Sequence, residues 1–258
     1  MHLPELAPEI IGFLGGLAIT NTMINAILGT IIFLIIGLIL YVKINLRPGK
    51  LQNFFEYILE LLMGYFDQVT GDRKKTLKFL PVVGSVFFFI LLSNWLGLLP
   101  GTGSISWNQT MILRPANTDL NLTVAMALFS VFASHVFGFL SVGFFTYANK
   151  YIQIGTLIKS IKKGPVAIFT AVIELAVGLI ELISEAAKVL SLSLRLFGNI
   201  FAGEVLISVI ASIAGLLAPT PFMLLELLIG LIQAGVFAML TLVYLTVAVM
   251  ETSGIEEQ

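Results

Sequence analysis

The sequence has no cysteine and few charged residues, and both absences limit what the protein can do. Of its 258 residues, 11% are charged and 58% are hydrophobic, whereas soluble domains carry about 25% charged residues. Without cysteine there is no disulfide, no thiolate nucleophile and no cysteine-based metal site, and two histidines alone are too few for a zinc centre. The sequence therefore predicts a polytopic membrane protein that holds no metal and no other cofactor.

The charges that remain are nearly balanced and are spread along the chain. The formal net charge is −1, and no basic block of the kind that binds nucleic acid occurs. A phosphate-binding loop of the Gly-x-x-x-x-Gly-Lys type is also missing from the sequence. We therefore expect no nucleic-acid partner and no nucleotide chemistry on this chain.

Five apolar stretches predict membrane-crossing helices, and the whole chain, residues 1–258, is expected to form a single integral membrane domain. The spans are expected at about residues 20–42, 79–99, 122–147, 165–218 and 222–249. A further helix at about 51–69 has apolar residues at helical spacing with polar residues between them, so it is expected to be amphipathic and interfacial. The predicted fold class is therefore an all-α polytopic membrane protein.

Basic residues predict the orientation of these spans. Lys43, Arg47 and Lys50 follow the first span, and no Lys or Arg precedes it, so the positive-inside rule places the amino terminus outside. Four lysines between residues 150 and 163 place the end of the third span inside, and the same parity places the carboxy terminus in the cytoplasm. Because acidic residues precede the first span, where a signal peptide has basic ones, this span is expected to remain as an anchor.

The stretch from Pro165 to Ala218 is too long for one upright span. Its roughly 54 residues would form a helix of about 80 Å, whereas the hydrocarbon core is about 30 Å thick. Two upright helices would need a turn, yet residues 179–197 contain neither glycine nor proline. We therefore predict one long, strongly tilted helix, which forms a hairpin with the last span after a break at Pro219 and Pro221.

One arginine lies deep inside this long apolar stretch, in the run Ser-Leu-Arg-Leu-Phe-Gly-Asn that contains Arg195 and Asn199. A charge at the centre of a membrane helix costs about 2.5–3.5 kcal/mol on insertion scales, so such residues usually face protein or water and serve ion movement. Arginine stays protonated, so it attracts an ionised carboxylate but cannot relay a proton. Arg195 is therefore predicted to be an electrostatic gate for carboxylates that move past it.

The polar residues of the long helix fall on two faces. On a wheel of about 100° per residue, six of them share a sector of about 80°. They are Glu174, Glu181, Glu185, Lys188, Arg195 and Asn199. Glu204 points about 180° away from Arg195 on the same wheel and lies about 13 Å from it along the axis. The two faces are therefore expected to meet different surroundings.

We assign the two faces to two separate proton paths. The path from the outside is assigned Glu204, Glu226, Asp119 and Asn121. The path from the cytoplasm is assigned Glu174, Glu181 and Glu185. In the last helix Glu226, Gln233 and Tyr244 share a face, so this helix can lay polar groups along the long one, and Gln233 is the expected neighbour of Arg195.

The outer acids and the arginine also have ordinary structural interpretations, which the sequence leaves open. Arg195 could pair with an acid inside a helix bundle. Glu204 and Glu226 could form a structural pair that shares one proton. In either case the charges would stabilise the bundle without moving ions.

Three other residues have equally plain alternatives. Glu185 and Lys188 lie three residues apart and could be a local ion pair. Asp119 could simply start a helix. His135, the one histidine within a predicted span, has no partner ligand nearby in the sequence and is interpreted as a packed or pore-adjacent polar residue.

The run around Arg195, the Ala-Gly-Glu at 202–204 after it, and Gln233 and Tyr244 downstream resemble the signature of the subunit a family of the rotary F-type ATP synthase. The similarity of layout runs from about residue 20 to the end. It implies a stationary proton-translocating subunit of the F0 sector, not catalytic alone, in which Arg195, Glu204 and Gln233 serve translocation and Asn199 faces the rotor. The implied partners are the c-ring, b-type peripheral stalk subunits, the remainder of the F1F0 complex and the lipid bilayer.

The location and the alternative functions follow from the same features. The basic inside loops and the lack of a transit peptide favour a bacterial plasma membrane, with an organelle inner or thylakoid membrane as the alternative. The alternative function is a secondary transporter, which would show inverted repeats or paired broken helices, and the sequence shows neither. An intramembrane serine protease would need a reachable Ser and His, and His135 has no Gly-x-Ser-x-Gly partner.

Overall fold

The computed structural model describes residues 7–99, 106–107, 110–111, 113–143, 147, 165–215 and 217–256. The described helices are α1 Asn21–Val42, α2 Lys50–Thr70, α3 Arg73–Gly97, α4 Leu120–Val142, α5 Pro165–Ala214 and α6 Thr220–Glu256. The described strands are β1 Ile10–Leu14 with β2 Leu17–Thr20, and β3 Ser106–Trp107 with β4 Thr110–Met111, and a 3-10 helix covers Ala116–Thr118. The four lysines between 150 and 163, on which the orientation of the third span depends, lie outside the described residues.

Five of the described helices, α1, α3, α4, α5 and α6, are long and apolar enough to cross a membrane. The remaining helix, α2, buries Leu62 and Phe66 and exposes Phe54, Tyr57 and other large side chains. Exposed apolar and aromatic residues of this kind suit a helix that lies at a membrane surface. The predicted all-helical polytopic fold with a long carboxy-terminal helix hairpin is therefore confirmed.

The long helix α5 is continuous over 50 residues, which corresponds to about 75 Å. It ends where Gly215 adopts a φ of +76°, a left-handed conformation that favours glycine and commonly terminates helices. α6 then starts directly after Pro219. Since α5 is unbroken, it lacks the discontinuity that a solute site in a secondary transporter would need.

The core of the bundle forms where α6 packs against α3, α4 and α5. Ala234 and Ala238 of α6 are fully buried, and their small side chains let the helix axes approach closely. Near the middle of α5 the buried apolar residues are Leu192, Leu196 and Ile200, each one turn from the next. Leu190, Leu194 and Arg195 beside this stripe are exposed, so one flank of the helix remains open to the surroundings.

A short hairpin, which the sequence did not lead us to expect, precedes α1. Gly15 and Gly16 have φ values of +58° and +89°, as a two-residue turn between antiparallel strands requires. Thr20 is the last residue of β2, and its hydroxyl accepts a hydrogen bond from the Met23 backbone N–H and so caps α1. The hairpin turns the chain back toward the start of α1, and the Glu9 carbonyl accepts a hydrogen bond from the Asn21 N–H.

Candidate functional site

Polar side chains gather at three levels along α5. We name the first two groups for the predicted topology: the outer cluster is Arg114, Asp119, Glu204 and Glu226, and the inner cluster is His135, Tyr147, Glu185, Lys188 and Tyr244. Arg195 lies between them, since Glu204 is nine residues after it and Glu185 ten residues before it. These separations correspond to about 13 Å and 15 Å along the helix axis.

The centre of the outer cluster is a buried ion pair between Arg114 and Glu204. The Arg114 Nε lies 3.0 Å from Glu204 Oε1 and 3.1 Å from Oε2, and Nη2 lies 3.1 Å from Oε2. The Arg114 Nη1 donates to the Ala7 carbonyl at 3.2 Å, and its guanidinium carbon lies 6.0 Å from the centre of the Phe201 ring. Only 5% of Arg114 is exposed. Charge-assisted, forked contacts of this kind are stronger than neutral hydrogen bonds and fix both partners.

Side-chain amides connect the segment that carries Arg114 to three helices. The Asn25 Nδ2 donates to the Arg114 carbonyl at 2.7 Å. The Asn117 Nδ2 donates to Asn94 Oδ1 at 2.7 Å, and the Asn94 Nδ2 donates to the Gly230 carbonyl at 3.2 Å. The segment is thereby joined to α1, α3 and α6, so the position of the Arg114 side chain is set by the tertiary structure.

Asp119 begins α4 and also contacts α1. Its carboxylate accepts hydrogen bonds from the Asn121 backbone N–H at 2.9 Å and from the Thr22 hydroxyl at 3.0 Å. The interpretation of Asp119 as a helix start is therefore confirmed. Its role in an outer proton path, like that of Asn121, whose side chain is exposed, remains a prediction.

Glu226 is the second acid of the outer cluster, and its environment differs from that of Glu204. Only 5% of the residue is exposed, and its Oε1 atom has no hydrogen-bond partner among the described residues. Its carboxylate lies against the backbone of α5 at Gly203, where an added Cβ would overlap it. Glu204 is bound to Arg114, and the interpretation of Glu204 and Glu226 as a proton-sharing pair stays a prediction.

Arg195 lies on an open flank of α5. Its side chain is exposed, and its Nη2 donates to the Ser191 hydroxyl one turn earlier at 3.3 Å. Among the described residues no carboxylate forms an ion pair with it, so the interpretation as a charge paired inside the bundle is wrong. Large apolar residues, Leu190 and Leu194, are exposed beside it. The guanidinium is therefore presented to whatever covers this face.

Asn199 and Gln233 join α5 to α6 one turn beyond Arg195. The Asn199 Nδ2 donates to the Gln233 Oε1 at 2.8 Å. Gln233 is only 4% exposed, and its Nε2 lacks a partner among the described residues. We expected Gln233 beside Arg195; it lies near that level, but its hydrogen bond goes to Asn199. Two predicted site residues are thus in direct contact.

The inner cluster connects α4, α5 and α6. The Lys188 Nζ lies 2.7 Å from Glu185 Oε1, which confirms the predicted local ion pair. The His135 Nε2 lies 3.8 Å from the other Glu185 oxygen, and its Nδ1 shares a 2.8 Å hydrogen bond with the hydroxyl of Tyr147, a buried residue. The Lys188 Nζ also lies 5.2 Å from the centre of the Tyr244 ring. His135 is therefore a packed polar residue that belongs to a larger network.

The remaining predicted residues of the inner path lie on the same side of α5. Glu174 is exposed and Glu181 is half-buried. Both precede Glu185 toward the start of the helix, so they extend the polar stripe beyond the inner cluster. No group of three or more histidines and acids with the geometry of a metal site is found among the residues that the structure describes.

Sequence reasoning missed Arg114 as a site residue, although a signal for it was present. It is the only Lys or Arg between Lys78 and Lys150, and it stands five residues before Asp119. An isolated cation in an apolar protein needs a counter-charge. The link from His135 through Glu185 to Lys188 was missed because helices far apart in sequence form it.

Comparisons with known proteins agree on one family. A family model described as ATP synthase A chain matches residues 22–246. The ATP synthase subunit a of Mycobacterium ulcerans is 35% identical over 235 residues, covering 89% of this chain and 86% of that protein. The ATP synthase subunit a of Moorella thermoacetica is 30% identical over 243 residues, covering 94% and 97%. That of Desulfotalea psychrophila is 36% identical over 203 residues, covering 78% and 73%.

Proposed function

Because this chain belongs to the ATP synthase A chain family, we propose that it is the stationary proton-translocating subunit of the F0 sector of ATP synthase. It performs no catalysis alone; it moves ions for a complex whose nucleotide chemistry lies on other subunits. In this proposal the chain provides two offset half-channels, which lead protons to and from the carboxylates of a rotating c-ring. Arg195 is the gate between them.

The observation that carries the proposal is the exposed position of Arg195. A guanidinium on an apolar helix, without an acid of the described chain beside it, is costly unless a counter-charge from outside approaches. A carboxylate of another membrane subunit meets this need. A ring of such carboxylates would present one after another to the same arginine.

The positions of the two polar clusters support separate half-channels. The outer cluster lies about 13 Å from Arg195 along α5 and the inner cluster about 15 Å on the other side. A proton that arrives through the outer cluster neutralises a ring carboxylate, and the neutral acid can then face lipid. After rotation the acid loses its proton toward the inner cluster, and the ionised carboxylate returns to Arg195.

Arginine suits the gate because its charge is permanent. Its guanidinium keeps its proton at any physiological pH, so it attracts the ionised ring carboxylate without offering a proton path between the half-channels. Glu204, Glu226 and Asp119 serve the outer path in this proposal, and Glu181 and Tyr244 line the inner one. Asn199 and Gln233 support the level of Arg195.

The proposed partners and location follow from this role. The exposed flank of α5 faces the c-ring, b-type peripheral stalk subunits hold the chain against rotation, and the other apolar surfaces face lipid. The amino terminus is placed outside and the carboxy terminus in the cytoplasm, since the first basic residues follow α1. A bacterial plasma membrane is the proposed location, which the bacterial origin of the relatives supports.

The proposal is tested by replacing Arg195 in the assembled complex. The complex that contains this chain is reconstituted in vesicles, and Arg195→Ala is compared with the wild type for ATP-driven proton pumping. Passive proton leak is measured separately after the soluble catalytic part is removed. We expect pumping to be lost while the leak is retained or increased, because the half-channels persist without their gate.

A matched control separates this result from the loss of any arginine. Arg73 is exposed at the start of α3, where it pairs with Asp67, and Arg73→Ala should pump as the wild type does. If Arg195→Ala also pumped normally, Arg195 would be an ordinary structural charge and the gate would have to be abandoned.

A further inference from the structure

We propose that Arg114 is a positioning residue that keeps Glu204 ionised as its counter-ion, and that Glu226 is the acid of the outer cluster that takes up and releases the transported proton. The inference rests on the proposed function and deepens it. It assigns different tasks to two acids at the contact between α5 and α6. Glu226 of α6 lies against Gly203, and Glu204 is the next residue of α5.

The first step concerns the contacts of the Glu204 carboxylate. Both of its carboxylate oxygens are bound by the Arg114 guanidinium, in three contacts of 3.0 to 3.1 Å. A proton on either oxygen would replace an acceptor by a donor and break a charge-assisted contact in a buried setting. Removing the negative charge would also leave the Arg114 cation buried and unpaired, which is strongly unfavourable. These contacts with Arg114 therefore favour the ionised form of Glu204 over the neutral acid.

The second step is that Arg114 cannot turn away from Glu204. Its carbonyl accepts from Asn25, its Nη1 donates to the Ala7 carbonyl, and its guanidinium lies over the Phe201 ring. Backbone and side-chain contacts with the amino-terminal segment, α1 and α5 therefore fix the cation in place. A fixed cation would repel a migrating proton from its own position, so the proton must pass beside the pair.

The third step is the contrast with Glu226. Its Oε1 is buried without a hydrogen-bond partner among the described residues, and its carboxylate lies against Gly203. Burial without a partner is far more costly for the ionised form of a carboxyl group than for the neutral acid. Since Gly203 has no side chain, it leaves the space that the carboxyl group occupies next to α5.

The charged groups around the two acids are few. Arg114 and Asp119 come from the segment before α4, and Glu9, from the amino-terminal segment, also faces Glu204. The spanning parts of α1 and of α3 beyond Lys78 contain no charged residue, and α4 contains only His135. α3 contributes the Asn94 amide, which binds the Gly230 carbonyl. The cation of Arg114 is therefore committed to Glu204 and not to Glu226.

The proton steps balance as follows. A hydronium ion of the outer water gives its proton to an oxygen of ionised Glu226, which leaves water and the neutral acid. The neutral Glu226 then gives this proton to an ionised ring carboxylate and returns to its charged form. Glu204 and Arg114 keep their charges throughout, and the net charge of the pair stays at zero.

A double-variant comparison in the reconstituted complex tests this assignment. ATP-driven proton pumping is measured for Arg114→Gln, Glu204→Gln, the Arg114→Gln/Glu204→Gln double variant and Glu226→Gln. Each variant of the pair alone leaves one buried charge unmatched, so each should pump at least about tenfold more slowly. The double variant removes both charges and should recover to within about threefold of the wild type. Glu226→Gln should lose pumping, and adding Arg114→Gln should not restore it.

The rescue is a result that a proton-carrying Glu204 would not give, whereas a pair whose charges only need to match each other gives it. If Glu204 carries the proton, the double variant remains as slow as Glu204→Gln alone, and the inference is overturned. Normal pumping by Glu226→Gln would overturn it equally. Because Arg114→Gln could prevent assembly, Arg114→Lys is included; it retains the charge without the fork and should pump at a rate between those of Arg114→Gln and the wild type.

A second readout is the rate of ATP-driven proton pumping as a function of the pH of the outer solution. The double variant should keep the pH profile of the wild type, since Glu226 is unchanged, whereas a profile that shifts in the double variant would assign the titrating group to Glu204. The wild-type complex separates the two proposals. Absence of proton pumping in the wild type would refute the proposed function itself, while normal wild-type pumping with an unrescued double variant would refute only this inference.

Discussion

Two arginines of this chain, Arg114 and Arg195, differ in their burial and in their ion-pair partners. Arg114 is buried, and its guanidinium is bound by both oxygens of Glu204 and by a backbone carbonyl. Arg195 is exposed on α5, and its one hydrogen bond among the described residues goes to the Ser191 hydroxyl. The first cation is neutralised within the chain. The second has no carboxylate partner among the described residues.

The difference teaches how the same side chain can serve structure or function. A cation whose counter-charge is in its own chain mainly holds that acid in place. Removing the cation leaves the buried carboxylate without a counter-ion. A cation whose counter-charge must come from elsewhere exerts its field on whatever passes. The surroundings, rather than the residue type, therefore decide whether an intramembrane arginine is a support or a gate.

The strongest way to break the contrast is to give Arg195 a partner of its own. Ser191→Glu places an acid one turn before Arg195, the favourable order for an ion pair at this spacing. We expect ATP-driven pumping to fall by roughly 10- to 100-fold, because a neutralised guanidinium no longer attracts the ring carboxylate. The neutral control of matching size is Ser191→Gln. Equal pumping by the two variants would mean that the free charge of Arg195 is not what matters.

A smaller effect should follow from disturbing the acid that lacks a partner. Gly203→Ala adds a methyl group where the Glu226 carboxylate lies, and overpacking of this kind costs about 1–3 kcal/mol. We expect the displaced carboxylate to slow pumping by roughly tenfold, with the Arg114 pair intact. Gly37→Ala is the matched control, since an added methyl group on Gly37 of α1 meets open space. Unchanged pumping in Gly203→Ala would show that the position of Glu226 is not critical.

The smallest effect is expected at a third arginine, Arg73, whose side chain is exposed. Arg73 forms an exposed ion pair with Asp67 at 2.7 Å. The nearby Thr76 hydroxyl, together with the hydrogen bond and charge of Arg73, lowers the pKa of Asp67 in the folded protein. A lowered folded pKa means that this contribution to stability is present at neutral pH and disappears as the pH falls through the titration of Asp67.

For Arg73→Ala we therefore expect unchanged pumping and a decrease in the thermal unfolding midpoint of about 1 °C or less at pH 7. The decrease should shrink as the pH falls through the titration of Asp67 in the folded protein, and it should vanish once Asp67 is protonated in both the folded and the unfolded forms. Thermal unfolding of the two purified complexes across this pH range measures the difference. A decrease that grew toward acid pH would contradict the assigned direction of the Asp67 pKa.

Hydropathy and breaker residues predicted the elements of the fold well. The apolar runs and the prolines near residue 219 indicated five long helices and the hairpin of α5 with α6, because membrane spans depend on composition over about 20 residues. The unbroken course of α5 followed from the absence of glycine and proline in residues 179–197. The β1–β2 hairpin was missed, since its apolar residues merged with the first span. The Gly15-Gly16 pair was its one local signal.

Pairings between helices were predicted less well, for a physical reason. The wheel showed that Glu204 and Arg195 point apart, because both residues are on one helix whose period is known. It could not show that Arg114, 90 residues away, binds Glu204, or that Gln233 binds Asn199. Such contacts depend on the relative rotation and height of separate helices, which one sequence does not specify. The roles of the predicted site residues in translocation stay predictions that the experiments above address.

The continuous stripe of buried residues on α5 also bears on mechanical load. A turning neighbour would push sideways on the exposed flank that carries Arg195 and Asn199. Leu192, Leu196 and Ile200 pack on the adjacent stripe at the same levels, so the push passes directly into α6 and the helices behind it. An unbroken helix has no hinge at which to yield. α5 is thus a continuous helix whose packed stripe between residues 192 and 200 can pass a sideways load to the bundle without bending at a break.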